Sequence, residues 1–305
     1  IVLSASHNPY QDNGIKIFRH GGIKLTDEQE NRIESYILNE QKAPEGKVGA
    51  IAPLEDALEK YSDFLLKDFP DIPESTGDAS NRLKLVIDNS NGAASAVSGM
   101  VFNPDLFDVD FMYNNPDGIN INNDCGSQHT QALQARVRKL KADIGLAFDG
   151  DADRLIAVDE TGLEITGDRI VAVCAAFAKE NNRLDNNTVV TTIMSNVGLT
   201  ECMDKLGITH IKAGVGDRKV LEAMMEKKAV IGGEDSGHMI FLNRHSTGDG
   251  MLSALRLIEV MIGTGKPLSE LSRIMTVYPQ VLKNVEVDAS RPDFMAIQPI
   301  ADCIS

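Results

Sequence analysis

The sequence predicts an α/β protein of tandem similar units, with mixed, largely parallel sheets flanked by helices. From 83 to 148, apolar strand-like runs alternate with helical patterns in the order strand, helix, strand, helix, strand, which favours a largely parallel sheet. From 167 onward the same alternation recurs, which suggests duplication. The polar loops that invite chemistry follow strands, and ligands of open α/β sheets bind beyond the carboxyl ends of strands.

The first segment runs to about Pro70. It starts on the strand-like Ile1-Val2-Leu3, crosses a polar loop from Ser4 to Gly14 and a short strand at Ile15 to Phe18, and continues in helical patterns. Thr26-Asp27-Glu28-Gln29 has the form of a capped helix start, with apolar Ile33 and Ile37 following. Residues 71–82, rich in Pro, Ser, Gly and Asp, read as a linker. The unit 83–162 opens on the apolar strand Leu83 to Ile87 and the turn Asp88 to Gly92, then a helix at Ala93 to Phe102. A strand near Phe107 to Met112, a helix near Thr130 to Lys141 and a strand at Ile144 to Phe148 complete the series. The unit 163–277 offers helices at 167–180, 198–206, 217–226 and 249–262, and strands at 188–193, 209–212 and 230–232.

The composition excludes several function classes. A net charge of -15 disfavours sequence-independent binding to nucleic acid or to an anionic membrane, since both need a basic surface. A small anionic substrate stays open, because it needs only a local cluster of cations and helix N-termini. Cys125, Cys174, Cys202 and Cys303 are widely spaced with no CxxC pair, so neither a zinc site nor a disulfide framework is indicated and a reducing cytoplasm is the default. No apolar run approaches a membrane span, and no secretory signal is present. The chain begins on Ile1 without an initiator methionine and stops at Ser305 without a helix stop, so it reads as part of a larger protein.

The most informative stretch is Asp149-Gly150-Asp151-Ala152-Asp153-Arg154. Carboxylates at alternate positions can converge on one hard divalent cation, and the arginine supplies a fixed charge beside it. An EF-hand loop is the nearest rival, with Asp149, Asp151 and Asp153 at positions 1, 3 and 5 and Glu160 at position 12. Position 6 decides against it: an EF-hand needs glycine there, and this chain has Arg154. The flanks, 143–148 and 155–158, read as strands and not as the helices that bracket a calcium loop. A plain solvated acidic turn is the remaining alternative.

A second motif lies at Ser4-Ala5-Ser6-His7-Asn8-Pro9-Tyr10-Gln11-Asp12-Asn13-Gly14-Ile15-Lys16. A hydroxyl nucleophile, an imidazole, a turn that exposes them and a lysine close behind form a nucleophile set with candidate proton carriers. Taken separately, Lys16 can be a solvated strand-edge charge, His238 a residue that satisfies a strand end, and Arg218 either a ligand contact or a cap on its loop.

These two motifs together with Gly233-Glu234-Asp235-Ser236-Gly237-His238 resemble the α-D-phosphohexomutase superfamily over essentially the whole chain. Asn120-Ile121-Asn122, Cys125-Gly126-Ser127-Gln128-His129 and Val215-Gly216-Asp217-Arg218 resemble its phosphoglucosamine mutase branch. The resemblance implies that Ser6 carries the phosphoryl group, with Ser4 a decoy. It makes Ser6, Asp149, Asp151 and Asp153 the ligands of one Mg2+ ion, with Arg154 beside it. His7, Lys16 and His238 fall near the reacting oxygens, while Glu234, Ser236 and Arg218 bind substrate. His129 reads as a helix-start residue, and Cys125 needs no catalytic role.

The implied activity is an isomerisation of glucosamine 6-phosphate and glucosamine 1-phosphate through a sugar bisphosphate, serving bacterial peptidoglycan precursor synthesis in the cytoplasm. A hexosamine phosphate is then the partner, no nucleic acid or membrane is expected, and a homodimer is allowed. Phosphomannomutase or phosphoglucomutase activity, a phosphatase using the same serine, and a non-catalytic binding module are the alternatives. Within the resemblance, 1–70 is the end of a first domain carrying the phosphoserine loop, 83–162 a second with the metal loop, and 163–277 a third with the sugar loop. Residues 278–305 start the link to a fourth domain, whose Arg-x-Ser-Gly-Thr loop the chain does not contain. The chain alone is therefore expected to have little mutase activity, since remote binding energy holds the reacting geometry.

Overall fold

The computed structural model describes residues 1–39, 46, 49–67, 69, 82–281, 293 and 296–304. Nearly all of the expected linker at 71–82, and most of the segment after 281, lie outside the described residues.

In the first segment β1 (Val2–Ser4) pairs antiparallel with β2 (Gly14–Lys16), so the polar loop between them returns the chain on itself. The strand expected at 15–18 divides at Ile17, and β3 (Phe18–Arg19) forms its own hairpin with β4 (Ile23–Lys24). Helix α1 (Asp27–Leu38) starts on the expected signal: Thr26 accepts from the Gln29 N–H at 3.4 Å, and the Gln29 side chain accepts from the Thr26 N–H at 3.1 Å. Helix α2 (Ala57–Leu66) follows and rests on the third unit, where the Tyr61 hydroxyl donates to Asp249 Oδ2 at 2.9 Å.

The second unit runs β5 (Lys84–Asp88), α3 (Ser98–Val101), β6 (Asp108–Met112), α4 (Gln131–Leu140), β7 (Ile144–Phe148), β8 (Leu155–Asp159) and β9 (Glu164–Ile165). Its sheet has the order β6-β5-β7-β8-β9, parallel across the first three strands and antiparallel beyond. The helix expected at 93–102 is instead a 3-10 turn at Ala93–Ala96 leading into the single-turn α3. Packing overrides propensity here. Gly92 lies against the backbone of Gly150, and the Ala93 N–H is spent on the Gly150 carbonyl at 2.8 Å, so the first turn is held to another loop.

The third unit repeats the plan with α5 (Gly167–Glu180), β10 (Thr188–Thr192), α6 (Val197–Leu206), β11 (Thr209–Ala213), α7 (Asp217–Lys227), β12 (Ile231–Gly233), β13 (Met239–Phe241), α8 (Gly250–Thr264) and α9 (Leu268–Leu271), with α10 (Gln298–Ile304) last. Its order, β11-β10-β12-β13, is that of the first four strands of the preceding sheet, again three parallel strands with an antiparallel edge. The recurrence read from the sequence is thus a recurrence of topology.

The two units share one apolar interior. Leu85, Ile87, Leu146 and Phe148 of the second sheet pack in a single cluster with Ile170 and Val171 of α5, Val189 and Ile231 of the third sheet, and Leu257 and Ile258 of α8. Each such side chain, taken fully out of water, contributes about 1.5–3 kcal/mol, so the junction between the units is itself core. That rigid junction fixes the strand-end loops of one sheet against those of the other. Among the described residues no helix is long and apolar enough to cross a membrane.

Candidate active site

The aspartate loop joins β7 to β8 at the carboxyl edge of the second sheet. Ala152 turns the chain at φ 59°, and one carboxylate oxygen from each of Asp149, Asp151 and Asp153 lies within 4.8 Å of the others. Asp149 Oδ2, Asp151 Oδ1 and Asp153 Oδ1 are buried without a hydrogen-bond partner. Buried carboxylate oxygens left unpaired cost free energy unless a cation pairs them, so this donor set fits a hard divalent ion. Burial, then the charges of Asp153 and Asp151, push the Asp149 carboxyl up to about 8. Burial pushes Asp151 the same way, but hydrogen bonds from Lys16 and Ser4 outweigh it and hold that carboxyl low.

The serine loop of the first segment sits directly on this edge. Ser6 adopts φ 53°, and its carbonyl accepts from the Gly150 N–H at 3.1 Å. Gly150 has to be glycine, since a Cβ there would stand 2.5 Å from that carbonyl oxygen. The Ser6 hydroxyl lies 3.2 Å from His7 Nδ1, whose pKa is lowered by burial and by Arg154. Ser4 has a supporting part: its hydroxyl donates to Asp151 Oδ2 at 2.7 Å and accepts from the Ser6 N–H at 2.8 Å. Lys16 bonds Asp151 and lies 3.5 Å from Asp153 Oδ2; burial disfavours its charge, but the Asp151 bond outweighs that and raises its pKa. The nucleophile set expected from sequence is therefore gathered around the three aspartates.

The third unit contributes from the turn between β12 and β13. His238 is 4% exposed, forms an isolated bridge with Arg154, and keeps both ring nitrogens free of hydrogen bonds. Its Nε2 lies 3.9 Å from Asp153 Oδ2 and 3.7 Å from Asp217 Oδ2. Arg154 Nε stands 4.0 Å from Asp149 Oδ2 and 3.9 Å from Asp153 Oδ1. Glu234 Oε1 accepts from the Gly216 N–H at 3.2 Å, and the turn that carries Glu234 and Ser236 is stapled at both ends: Leu155 N–H donates to the Gly237 carbonyl and Gly167 N–H to the Asp235 carbonyl, each at 3.0 Å.

Arg218 behaves differently from its neighbours. Its guanidinium reaches across to the first segment, bonding Asp27, the Leu25 carbonyl at 3.1 Å and Glu30 at 3.4 Å, so it ties α7 to the start of α1. His129 ends a 3-10 turn just before α4, and burial pushes the Cys125 thiol up to about 12, leaving it unreactive. Sequence reading assigned nothing to Asn122, Lys24 or Asp217. Asn122 holds the serine loop, and Asp217 bonds Lys24 while facing His238. Asn122 and Asp217 lie inside quoted motifs, yet only tertiary contact brings Asn122 to the serine loop and Asp217 to Lys24 and His238. A cavity of about 230 Å³ opens beside His238 and Asp217, floored by Phe18, Leu221, Met225 and Ile240.

Three family descriptions, phosphoglucomutase/phosphomannomutase alpha/beta/alpha domains I, II and III, match residues 1–44, 59–162 and 166–278. The chain is 55% identical to a phosphoglucosamine mutase of Desulforapulum autotrophicum over 99% of its own length and 68% of the relative's. It is 49% identical to one of Syntrophobacter fumaroxidans over 100% and 67%. It thus spans about two thirds of the length of the curated relatives it matches. Among solved structures, a phosphoglucomutase/phosphomannomutase family protein of Burkholderia thailandensis superposes with TM-score 0.74 at 24% identity, covering 92% of this chain and 58% of that one, which speaks to the fold. Matched by family in every described unit and by relatives of this identity along its whole length, the chain belongs to the phosphoglucosamine mutase branch of the phosphoglucomutase/phosphomannomutase family.

Proposed function

We propose that the chain carries out the phosphoryl transfers of a phosphoglucosamine mutase, converting glucosamine 6-phosphate and glucosamine 1-phosphate into one another in the cytoplasm. The observation that carries this reading is the convergence of three aspartates, with unpaired buried oxygens, on a serine loop bonded to their own glycine. Asp149, Asp151 and Asp153 would hold Mg2+, with an oxygen of phosphorylated Ser6 completing the set. When bound, the ion supplies positive charge against the equatorial oxygens of a transferring phosphoryl group.

The remaining residues act on substrate and protons. Glu234 accepts hydrogen bonds from sugar hydroxyls, and the Ser236 hydroxyl donates one to them, so that together they hold the ring. The phosphoryl group leaves Ser6 Oγ for the free hydroxyl of the sugar monophosphate: the Oγ–P bond breaks, a sugar O–P bond forms, the hydroxyl proton passes to His238 or His7, and Ser6 Oγ takes a proton from the imidazole of His7, 3.2 Å away, to leave as a hydroxyl. Lys16 and Arg154 offset the charge that spreads over the transferring oxygens. The bisphosphate then turns over, and its other phosphoryl group returns to Ser6 Oγ, with a proton restored to the sugar oxygen that loses it. No phosphate is released and the net change is an isomerisation. Uptake of phosphoryl from a bisphosphate reads the transfer step directly.

The test is a side-by-side assay of glucosamine, glucose and mannose phosphates with the phosphorylated protein, followed by 31P NMR. Isomerisation of the glucosamine phosphates ahead of the other two is expected. Preference for mannose or glucose phosphates, or net release of inorganic phosphate, would overturn the reading.

A further inference from the structure

One side-chain amide of the second unit bonds the serine loop twice. Asn122 is 9% exposed, and its Nδ2 donates both hydrogens to the serine loop, one to the Ser6 carbonyl at 2.9 Å and one to the Asn8 carbonyl at 2.8 Å. Those carbonyls bracket His7, so one group sets the arc on which the nucleophile and its imidazole neighbour stand. The arc needs outside support. Ser6 occupies the left-handed region at φ 53°, a conformation that a serine leaves unless surrounding contacts over-determine it.

Asn122 is itself anchored. It lies at φ 57°, where asparagine is among the few residues tolerated, and its N–H donates to the Ser90 carbonyl at 2.9 Å. The preceding loop is fixed by Asn120, whose side chain donates to the Asn115 carbonyl at 3.0 Å and accepts from the Asp117 N–H at 3.0 Å. The Gly150 N–H approaches the Ser6 carbonyl from the aspartate loop, and a Cβ at 150 would stand 2.7 Å from Asn122 Nδ2, so amide, serine carbonyl and aspartate loop occupy one close-packed point.

We propose that Asn122 is a positioning residue for the reaction: through two hydrogen bonds it holds Ser6 Oγ in register with the aspartate loop, without touching substrate or metal. The requirement is chemically narrow. An aspartate has the same shape but cannot donate, a glutamine carries one methylene too many, and a glycine keeps the left-handed backbone while removing the amide. The proposal rests on Ser6 being the phosphoryl carrier.

The experiment measures Ser6 phosphorylation in the full chain by intact-mass spectrometry, with glucosamine 1,6-bisphosphate and Mg2+, for wild type, Asn122→Gly, Asn122→Asp and Ser6→Ala. Both Asn122 variants are expected to lose about 100-fold in the maximal rate, as a nucleophile displaced by a fraction of its reach does. Their half-saturating bisphosphate and Mg2+ concentrations should stay close to wild type, as should the melting temperature of Asn122→Gly, whereas Asn122→Asp, whose carboxylate faces two carbonyls, melts lower. A wild-type rate in either variant overturns the proposal. So does a fall in rate, affinity and melting temperature together, or failure of both variants to fold, since either marks a merely structural residue. Uptake that survives in Ser6→Ala defeats the underlying functional reading instead, which separates the two failures.

Discussion

The second and third units have the same strand order but build their functional edges by different means. At the carboxyl edge of the second sheet, Ser90, Asn91, Tyr113, Asn122, Asp124 and Ala152 all adopt positive φ, and Ser6, docked on that edge, does too. In the third unit the positive-φ residues other than glycine, Asn182, Asn186, Asn187 and Lys228, sit before the strands, while the turns facing the site take their left-handed positions from Gly216 and Gly237. A loop that crowds three carboxylates against a docked serine loop bears backbone conformations that cost of order 1–3 kcal/mol each, and a shared core holds them in place. The turn that carries Glu234 and Ser236 uses glycine, which adopts these conformations without strain. The difference separates an edge under electrostatic and steric load from one that is simply stapled.

That contrast can be broken from the strongest side first. Ser6→Ala should abolish phosphoryl uptake, by about a thousand-fold or more, as removal of a covalent nucleophile does; mass spectrometry reads it. Gly150→Ala drives a methyl group to 2.5 Å from the Ser6 carbonyl and should lower the uptake rate about 100-fold. Gly237→Ala meets the Leu155 carbonyl at φ 93° and should instead lower stability by about 1–3 kcal/mol and weaken sugar binding, read by melting and by half-saturation. Equal effects of the two alanines on phosphoryl uptake would erase the proposed distinction between the edges.

Smaller effects follow from charge. Mg2+ at about 100 times its dissociation constant should stabilise the wild type by about 2.7 kcal/mol. In Asp149→Asn, where a crowded anion is gone, the gain should largely vanish while the metal-free protein melts no lower, as differential scanning calorimetry would show. Still smaller is a pH effect in the third unit. His210, bonded to Thr191 at 2.7 Å and 3.2 Å from Thr200, has its pKa lowered to about 4 by burial and then by Lys212. A folded pKa below the ordinary value of about 6.5 means the unfolded chain takes the proton first. His210 therefore contributes stability above about pH 6.5 that is lost as pH falls toward about 4. His210→Asn should flatten the acid limb of a denaturation series in that window. Asp88 has the opposite sign: burial pushes its carboxyl up to about 6, so the penalty it carries at neutral pH is relieved as pH falls through that value.

How much of this was legible in the sequence depends on the distance over which each feature is encoded. The α/β plan and its recurrence are readable because buried parallel strands such as 84–88 and 144–148 are short apolar runs between turn residues. The aspartate loop is readable because its geometry is local, three carboxylates within a few residues of one strand end. What escapes is what tertiary contact creates. Asn122 meets Ser6 across 116 positions and Arg218 meets Asp27 across 191, and neither spacing leaves a periodic trace. The segment 93–102 misleads for the same reason: its alanines favour helix, but a backbone bond to Gly150 decides its conformation.

The most direct test of the central claim is where the phosphoryl group lands and what it needs to get there. The wild-type chain incubated with glucosamine 1,6-bisphosphate should gain one phosphoryl group at Ser6, in a reaction that requires Mg2+ and is lost on adding a chelator or in Asp151→Asn. Phosphorylation at another residue, or at Ser6 with the same rate in the presence of the chelator, would contradict the account.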